Sequence, residues 1–317
     1  VVIVAVAVIV LLVLLRRGKL RKARFFAKLE YLMFSSKSLS LNIDLAGTAI
    51  AERLRIPYSE LTMIKQIGMG SYGEVFLGVW KQSHVAIKFC KRSLDIEEFL
   101  REAEVMISIR PHPNIVQVLG VSTDGPQIAL VLEFCQGGSL DTLLFDKDDE
   151  LGAAKTIKLS AGIAAGIYHL HQSNIVHRDL ASRNVLLTGD HQPKIADFGM
   201  SRLLQTEKDT GATKSDTGPV RWMAPESLRE KKYSIKSDVW SYGIILYELS
   251  SRQEPHVSED PLQVGAKIRD EGYTPKIPVD CPHVLKDIME SCWRYDPAER
   301  PDFAEICDKL NAAISSL

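Results

Sequence analysis

The spacing of apolar residues changes character once along this chain, at Gly-Gly-Ser, residues 137–139. From residue 61 to 134 the short runs EVFLGVW, HVAIKFC and IALVLEF dominate, rich in the β-branched and aromatic residues that favour strands. One helical pattern, IEEFLREAEVMISI (96–109), interrupts them. After the glycines, KTIKLSAGIAAGIYHLHQS and SDVWSYGIILYELSS repeat their apolar residues at helical spacing. The order predicts an α+β chain. A small β-rich N-lobe (61–134) is followed by a short hinge (133–138) and a larger α-helical C-lobe (139–316). A chain of 317 residues is long enough to give each lobe its own core. The net charge of −1 gives no global attraction for nucleic acid. The five cysteines are dispersed without a C-x-x-C pair, which predicts reduced thiols rather than a disulfide frame or zinc site.

The balanced net charge hides a local asymmetry. VVIVAVAVIVLLVLL (1–15) carries no polar side chain, and RRGKLRKARFFAK follows at once, with seven Lys and Arg before residue 29. Fifteen residues rise about 22 Å as a helix, short of the roughly 30 Å hydrocarbon layer. The expectation is therefore a truncated transmembrane helix. A signal-peptide core would carry its basic residues ahead of the apolar run rather than after it. A buried core helix or strand fits the adjacent basic cluster poorly. The positive-inside rule places the basic side, and the rest of the chain, in the cytoplasm of a single-pass membrane protein. Residues 16–60, including the Ser-rich SSKSLSLN, are expected to form a juxtamembrane segment.

Chemistry-bearing residues follow in a fixed order. GMGSYGEV (68–75) sits between strand-like flanks, so it reads as a hairpin tip rather than the strand-to-helix turn of a dinucleotide-binding fold. Its glycines let backbone amides approach phosphate oxygens without interference from Cβ. VAIK (85–88) sets Lys88 in an apolar strand, where an ammonium needs a carboxylate partner. Glu102, on the following helical pattern, is the candidate, and together they would hold Lys88 toward the α- and β-phosphates of a nucleotide. In HRDLASRN (177–184) Asp179 is placed to orient an attacking hydroxyl and accept its proton. Asn184, and Asp197 of DFG (197–199), offer hard oxygen ligands suited to Mg²⁺. Phosphoryl transfer asks mainly for positioning and for charge neutralisation, and these residues supply both.

From about residue 61 to 316 the sequence resembles a eukaryotic protein kinase domain. The likeness extends through HPN (112–114), APE (224–226), DVWSYG (238–243) and CWRYDPAERP (292–301). The resemblance implies a bilobal fold with ATP and Mg²⁺ in the cleft and proteins as substrates. It further implies that Ile67, Gly68, Gly70, Gly73, Val75, Ala86, Lys88, Glu133, Cys135 and Leu186 contact ATP. Leu132 would be the gatekeeper, with Glu133 to Cys135 forming the adenine-binding hinge. Asp179 would be the catalytic base, and Arg183 would do the charge work that a Lys at position 181 does toward the γ-phosphate. Arg178 would receive an activation-loop phosphate, Phe198 would be a regulatory position of the DFG segment, Glu226 would pair with Arg300, and Asp238 would anchor its helix. Thr206, Thr210, Thr213, Ser215 and Thr217 are the candidate phosphorylation sites of that loop. Dimerisation is a further expected route to activation.

Two acceptor classes remain open. Serine/threonine kinases typically carry Lys two residues after the catalytic Asp, whereas this sequence has Ala181 there and Arg183 further along, as many tyrosine kinases do. Pro219, seven residues before Glu226, resembles the tyrosine-kinase platform for a phenol ring. Pulling the other way, the segment from Asp197 to Glu226 has no Tyr, and Gly218 replaces a bulky apolar residue. LSSRQEPH (249–256) also resembles the tyrosine-kinase-like serine/threonine group. Tyrosine or dual specificity is the favoured expectation, and a serine/threonine enzyme of that group is the alternative. An inactive pseudokinase scaffold is disfavoured because every catalytic position is present. A small-molecule kinase is disfavoured because the APE and CWRYDPAERP segments build a protein-substrate side.

Overall fold

Strand-forming side chains alternate in the first half of the folded chain, and they assemble as a single five-stranded sheet. The computed structural model describes residues 54–69, 73–90, 96–145, 151–198, 202–203 and 220–317. The strands are β1 (Thr62–Met69), β2 (Gly73–Trp80), β3 (Ser83–Cys90), β4 (Val118–Ser122) and β5 (Ala129–Glu133), in the order β1-β2-β3-β5-β4. β1 and β2 are antiparallel, with Met69 opposite Glu74, and residues 70–72 between them lie outside the described residues. β2 and β3 turn through Lys81 and Gln82, both at positive φ, the backbone form that a tight hairpin requires. Val85, Ile87 and Phe89 of β3 are buried together with Ala129, Val131, Ile56 and Leu61, and Phe76, Trp80 and Leu119 close the cluster.

One of these core residues, Ile56, lies ahead of the expected start of the folded domain at residue 61. Residues 54–60 were assigned to the juxtamembrane segment, yet Ile56 is 2 % exposed and its N–H donates to the Val121 carbonyl at 2.9 Å. Glu60 accepts the Trp80 indole N–H at 2.9 Å, and Asp124 accepts the Tyr58 N–H at 2.9 Å. An apolar side chain and a backbone that both find partners in the sheet make this stretch part of the first unit.

The chain divides into two compact units, the first containing residues up to 99 and 119–132, the second residues 100–118 and 133–317. Residues 100–118, expected in the N-lobe, thus group with the helical unit. The reason lies in HPN. The Asn114 side chain donates to the Pro193 carbonyl at 2.9 Å and its carbonyl accepts from Ile195 N–H at 2.9 Å, while Val116 N–H donates to Ile195 O at 2.9 Å. Those bonds tie the segment after helix α1 (Ile96–Ser108) to strand β9 (Pro193–Ile195).

The second unit is built on helices. In order they are α2 (Leu140–Phe145), α3 (Ala153–Gln172), α4 (Pro225–Glu230), α5 (Ile235–Ser251), α6 (Pro261–Glu271), α7 (His283–Cys292) and α8 (Phe303–Ser315). Short strands β6 (Gly138–Ser139) and β8 (Val185–Leu187) join β9 in a three-stranded sheet, and β7 (Ile175–Val176) pairs with β10 (Arg202–Leu203). A helix that is apolar on every side must be interior. α5 meets that rule: every residue from Ser237 to Leu249 is buried, Trp240, Tyr242, Ile245 and Leu246 completely. Ser234 and Ser237 begin it with a reciprocal capping box. Among the described residues no helix is long and apolar enough to cross a membrane. The expected span at 1–15 and its basic cluster lie outside the described residues.

Candidate active site

In the first unit the register of the hairpin sets the candidate nucleotide residues side by side. Gly68 faces Val75 across β1 and β2, Val75 faces Lys88 across β2 and β3, and Ala86 faces Leu77. Lys88 is 9 % exposed in a strand whose neighbours Ile87 and Phe89 are core residues. The two described glycines of the loop differ in their reasons. A Cβ on Gly73 would lie 2.1 Å from the Phe89 carbonyl oxygen, so close strand approach alone demands glycine there. A Cβ on Gly68 would make only ordinary contacts with Val75, so the protein's own packing leaves room at that position. Ile67 is exposed, Val75, Ala86 and Leu132 are half-buried, and Gly70 lies outside the described residues.

In the second unit one carboxylate holds the start of the loop that carries Asp179. Asp238, 1 % exposed on α5, accepts the His177 N–H at 2.8 Å, the Arg178 N–H at 3.0 Å and a His171 ring contact at 2.9 Å. Arg178 has φ of 71°, a left-handed backbone that these two N–H bonds support. Its guanidinium lies 5.2 Å from the Tyr233 ring. His177 meets the Ala196 carbonyl at 3.0 Å, and its ring lies 5.3 Å from that of Phe198, which is buried. The loop and the DFG segment are thereby joined.

Asp179 itself is held from two sides. Arg183 Nη2 donates to Oδ1 at 2.6 Å, and Asn184 Nδ2 donates to Oδ2 at 3.0 Å and to the Asp179 carbonyl at 2.7 Å. The Arg183 guanidinium also lies over Trp222, 4.7 Å from the ring centroid. Asn184 spends its amide nitrogen on Asp179, so its oxygen is the end left for a hard cation. Ala196 N–H donates to the Asn184 carbonyl at 2.9 Å, so the residue that precedes Asp197 is bonded to the backbone of Asn184. Asp197 has φ of 57° and an exposed side chain. Both ligands expected for a divalent metal are oxygen donors, and the set fits Mg²⁺ chemistry.

The remaining expected residues are placed as follows. Glu133 sits at the end of β5, where Lys194 pairs with it at 3.0 Å and Gln117 N–H donates to it at 2.7 Å. Cys135 is buried, and burial followed by the Glu133 charge pushes its thiol up to about 11, so it stays protonated. Leu186 is half-buried on β8 opposite Lys194, and Glu102 is 4 % exposed on α1. The expected Glu226–Arg300 pair is present, with both carboxylate oxygens accepting from the guanidinium at 2.7 and 2.9 Å. Thr206, Thr210, Thr213, Ser215, Thr217, Gly218 and Pro219 lie outside the described residues.

Several residues that touch this site were not singled out in the sequence. Glu248, near the end of α5, accepts the Ser182 hydroxyl at 2.7 Å and the Ser182 N–H at 3.1 Å. Ser241, also on α5, donates to the Trp222 carbonyl at 2.8 Å. Asp238, Ser241 and Glu248 are three and seven residues apart, a spacing that puts them on one face of a helix. The only available signal was that spacing of polar residues within an otherwise apolar helix.

The family described as protein tyrosine and serine/threonine kinase matches residues 61–310. The chain belongs to this family. Serine/threonine-protein kinase STY17 of Arabidopsis thaliana is 38 % identical over 263 residues, covering 82 % of this chain and 45 % of that protein. Tyrosine-protein kinase transforming protein Abl of Abelson murine leukemia virus is 40 % identical over 253 residues, covering 78 % and 34 %. Tyrosine-protein kinase ABL2 of Homo sapiens is 39 % identical over 261 residues, covering 81 % and 22 %. This kinase therefore spans less than half the length of each of these relatives. Membership makes it a protein kinase domain with the family's bilobal fold, a β-sheet lobe and a helical lobe.

Proposed function

We propose that the chain transfers the γ-phosphate of ATP to a protein hydroxyl, with tyrosine the favoured acceptor or one of two. The observation that carries this reading is the Arg183 guanidinium, held 2.6 Å from Asp179 and 4.7 Å from the Trp222 ring centroid. In that arrangement a long, always charged side chain does the work that a Lys at position 181 would do from a shorter distance. Asp179 orients the acceptor hydroxyl and takes its proton. Lys88 positions the nucleotide phosphates, and the room at Gly68 admits a phosphate-bearing ligand near the backbone. Asn184 and Asp197 would hold Mg²⁺, which supplies charge neutralisation on the phosphate oxygens when bound. A tyrosine oxygen lies roughly 6.5 Å from its Cα and a serine oxygen roughly 2.4 Å, so a tyrosine peptide backbone lies further from the base. Pro219 suits that displacement.

The likeness to STY17, whose name is that of a serine/threonine enzyme, supports the second reading, a serine/threonine kinase of the tyrosine-kinase-like group. A peptide library phosphorylated by the chain and read by phosphoamino-acid analysis decides between them. Phosphotyrosine is expected, with some phosphoserine or phosphothreonine; products lacking phosphotyrosine would replace the first reading with the second.

The proposal extends to location. The apolar run 1–15 and the basic residues behind it support a single-pass membrane protein with the kinase domain cytoplasmic and with dimerisation in the membrane plane as its activating step. In sealed microsomes added protease should digest the kinase domain without detergent. Protection of that domain would contradict the orientation.

A further inference from the structure

Glu248 is 1 % exposed, an expensive place for a carboxyl group that has no lysine or arginine bonded to it among the described residues. What faces it is informative. Ser182 gives both its N–H and its hydroxyl, at 3.1 and 2.7 Å. The Trp222 indole N–H is buried, faces the same carboxyl group and makes no hydrogen bond of regular geometry. Arg183 is the charged group whose field reaches it, and Arg183 in turn grips Asp179 and lies on Trp222. Glu248 therefore touches both protein segments that hold Arg183: the loop 177–184 through Ser182, and the 3₁₀ turn Val220–Trp222 through Trp222.

We propose that Glu248 is a positioning residue for phosphoryl transfer, its carboxylate locking Ser182 and Trp222 so that Arg183 holds Asp179 in the orientation the acceptor hydroxyl needs. The inference rests on Asp179 being the base. Charge matters to the lock, because a carboxylate accepts both Ser182 donations, draws the facing Trp222 N–H and attracts Arg183, whereas a protonated carboxyl must use one oxygen as a donor. Burial, only partly offset by Ser182, Trp222 and Arg183, pushes this carboxyl group up to about 7. The sign follows. The folded chain binds this proton more tightly than the unfolded chain, so the contribution of Glu248 to stability is present at acid pH and lost as pH rises through about 7. Above that pH the ionised group costs stability and aligns the site.

The test is kinase activity of the full chain and of its Glu248→Gln variant between pH 6 and 9, with thermal unfolding at pH 8. The wild type should gain kcat as pH rises through about 7. The glutamine variant should lose about tenfold in kcat at pH 8, keep its KM for ATP within about twofold, lack the acid limb, and unfold at an equal or higher temperature. A residue of merely structural importance would give the reverse, a lower unfolding temperature with an unaltered pH profile, and that result overturns the inference. Should the glutamine variant not fold, Ser182→Ala carries the test, because it removes one donor that favours the ionised form. The acid limb should then move to higher pH, and an unmoved limb overturns the proposal. An inactive wild type would instead overturn the kinase reading on which the inference stands.

Discussion

Asp197→Asn and Lys88→Met are each expected to lower phosphoryl transfer by about 1,000-fold while the chain stays folded. The two positions supply charge in different ways. On the proposed reading Asp197 would offer an anionic oxygen to a divalent metal, and asparagine keeps the shape while removing the charge. Lys88 would offer an ammonium to the nucleotide phosphates, and methionine keeps the length of the chain while removing the cation. The fold should tolerate both changes. Asp197 is exposed, and its left-handed backbone with φ of 57° suits asparagine as readily as aspartate. Lys88 is 9 % exposed on β3, and an unbranched apolar chain of similar length suits such a position. Single-turnover phosphorylation together with circular dichroism separates the two properties. Near-wild-type turnover in either variant would remove that residue from the machinery. Loss of the folded signal would mean that its charge serves structure first.

Those residues were legible because each lies in a short motif whose chemistry is local. HRDLASRN carries Asp179, Arg183 and Asn184 within one turn of chain, so the Arg183–Asp179 and Asn184–Asp179 bonds need no long-range knowledge to anticipate. The strand and helix changes were legible for the same reason, since β2, β3, β5, α1, α3 and α5 all follow from local periodicity. Illegible were the contacts made across the sequence. Ser182 and Glu248 are 66 residues apart, and a glutamate in a helix reads as a solvated face until packing shows every neighbour buried. Asn114 and Pro193 are 79 residues apart, which is why the segment after α1 was counted with the wrong unit. Ile56 sits beside a proline in a stretch that reads as linker, and only the Val121 carbonyl and the sheet core reveal it as folded. Gly73 is a milder case: its motif suggested a ligand, and the backbone of β3 gives it a second reason.

Breaking the Glu226–Arg300 pair should cost the second unit about 3–5 kcal/mol, the largest stability effect expected of any single substitution described above. The Arg300 side chain is 0 % exposed and makes five donations: to Glu226 Oε1 and Oε2, and to the carbonyls of Arg294, Lys236 and Tyr295. It also lies 5.1 Å from the ring centroid of Trp240, one of the completely buried residues of α5. Glu226→Gln leaves that guanidinium interior with no counter-charge, and Arg300→Leu leaves three carbonyls without this donor. Either change should lower the unfolding temperature by roughly 10 °C, given about 2–4 °C per kcal/mol for a domain of this size. Arg300→Lys should fall between, since one ammonium has three donors and no planar fork to match the carboxylate. The double variant with leucine at both positions should recover part of the loss, because removing the whole pair also removes the cost of burying its charges. A change below about 1 kcal/mol in both single variants would show that the pair is not an anchor. The consequence for chemistry follows from chain order. Glu226 belongs to α4, four residues after Trp222, so an unanchored α4 loosens the ring on which Arg183 rests. Activity should therefore fall in these variants below their unfolding temperature, and should recover with stability in the double variant.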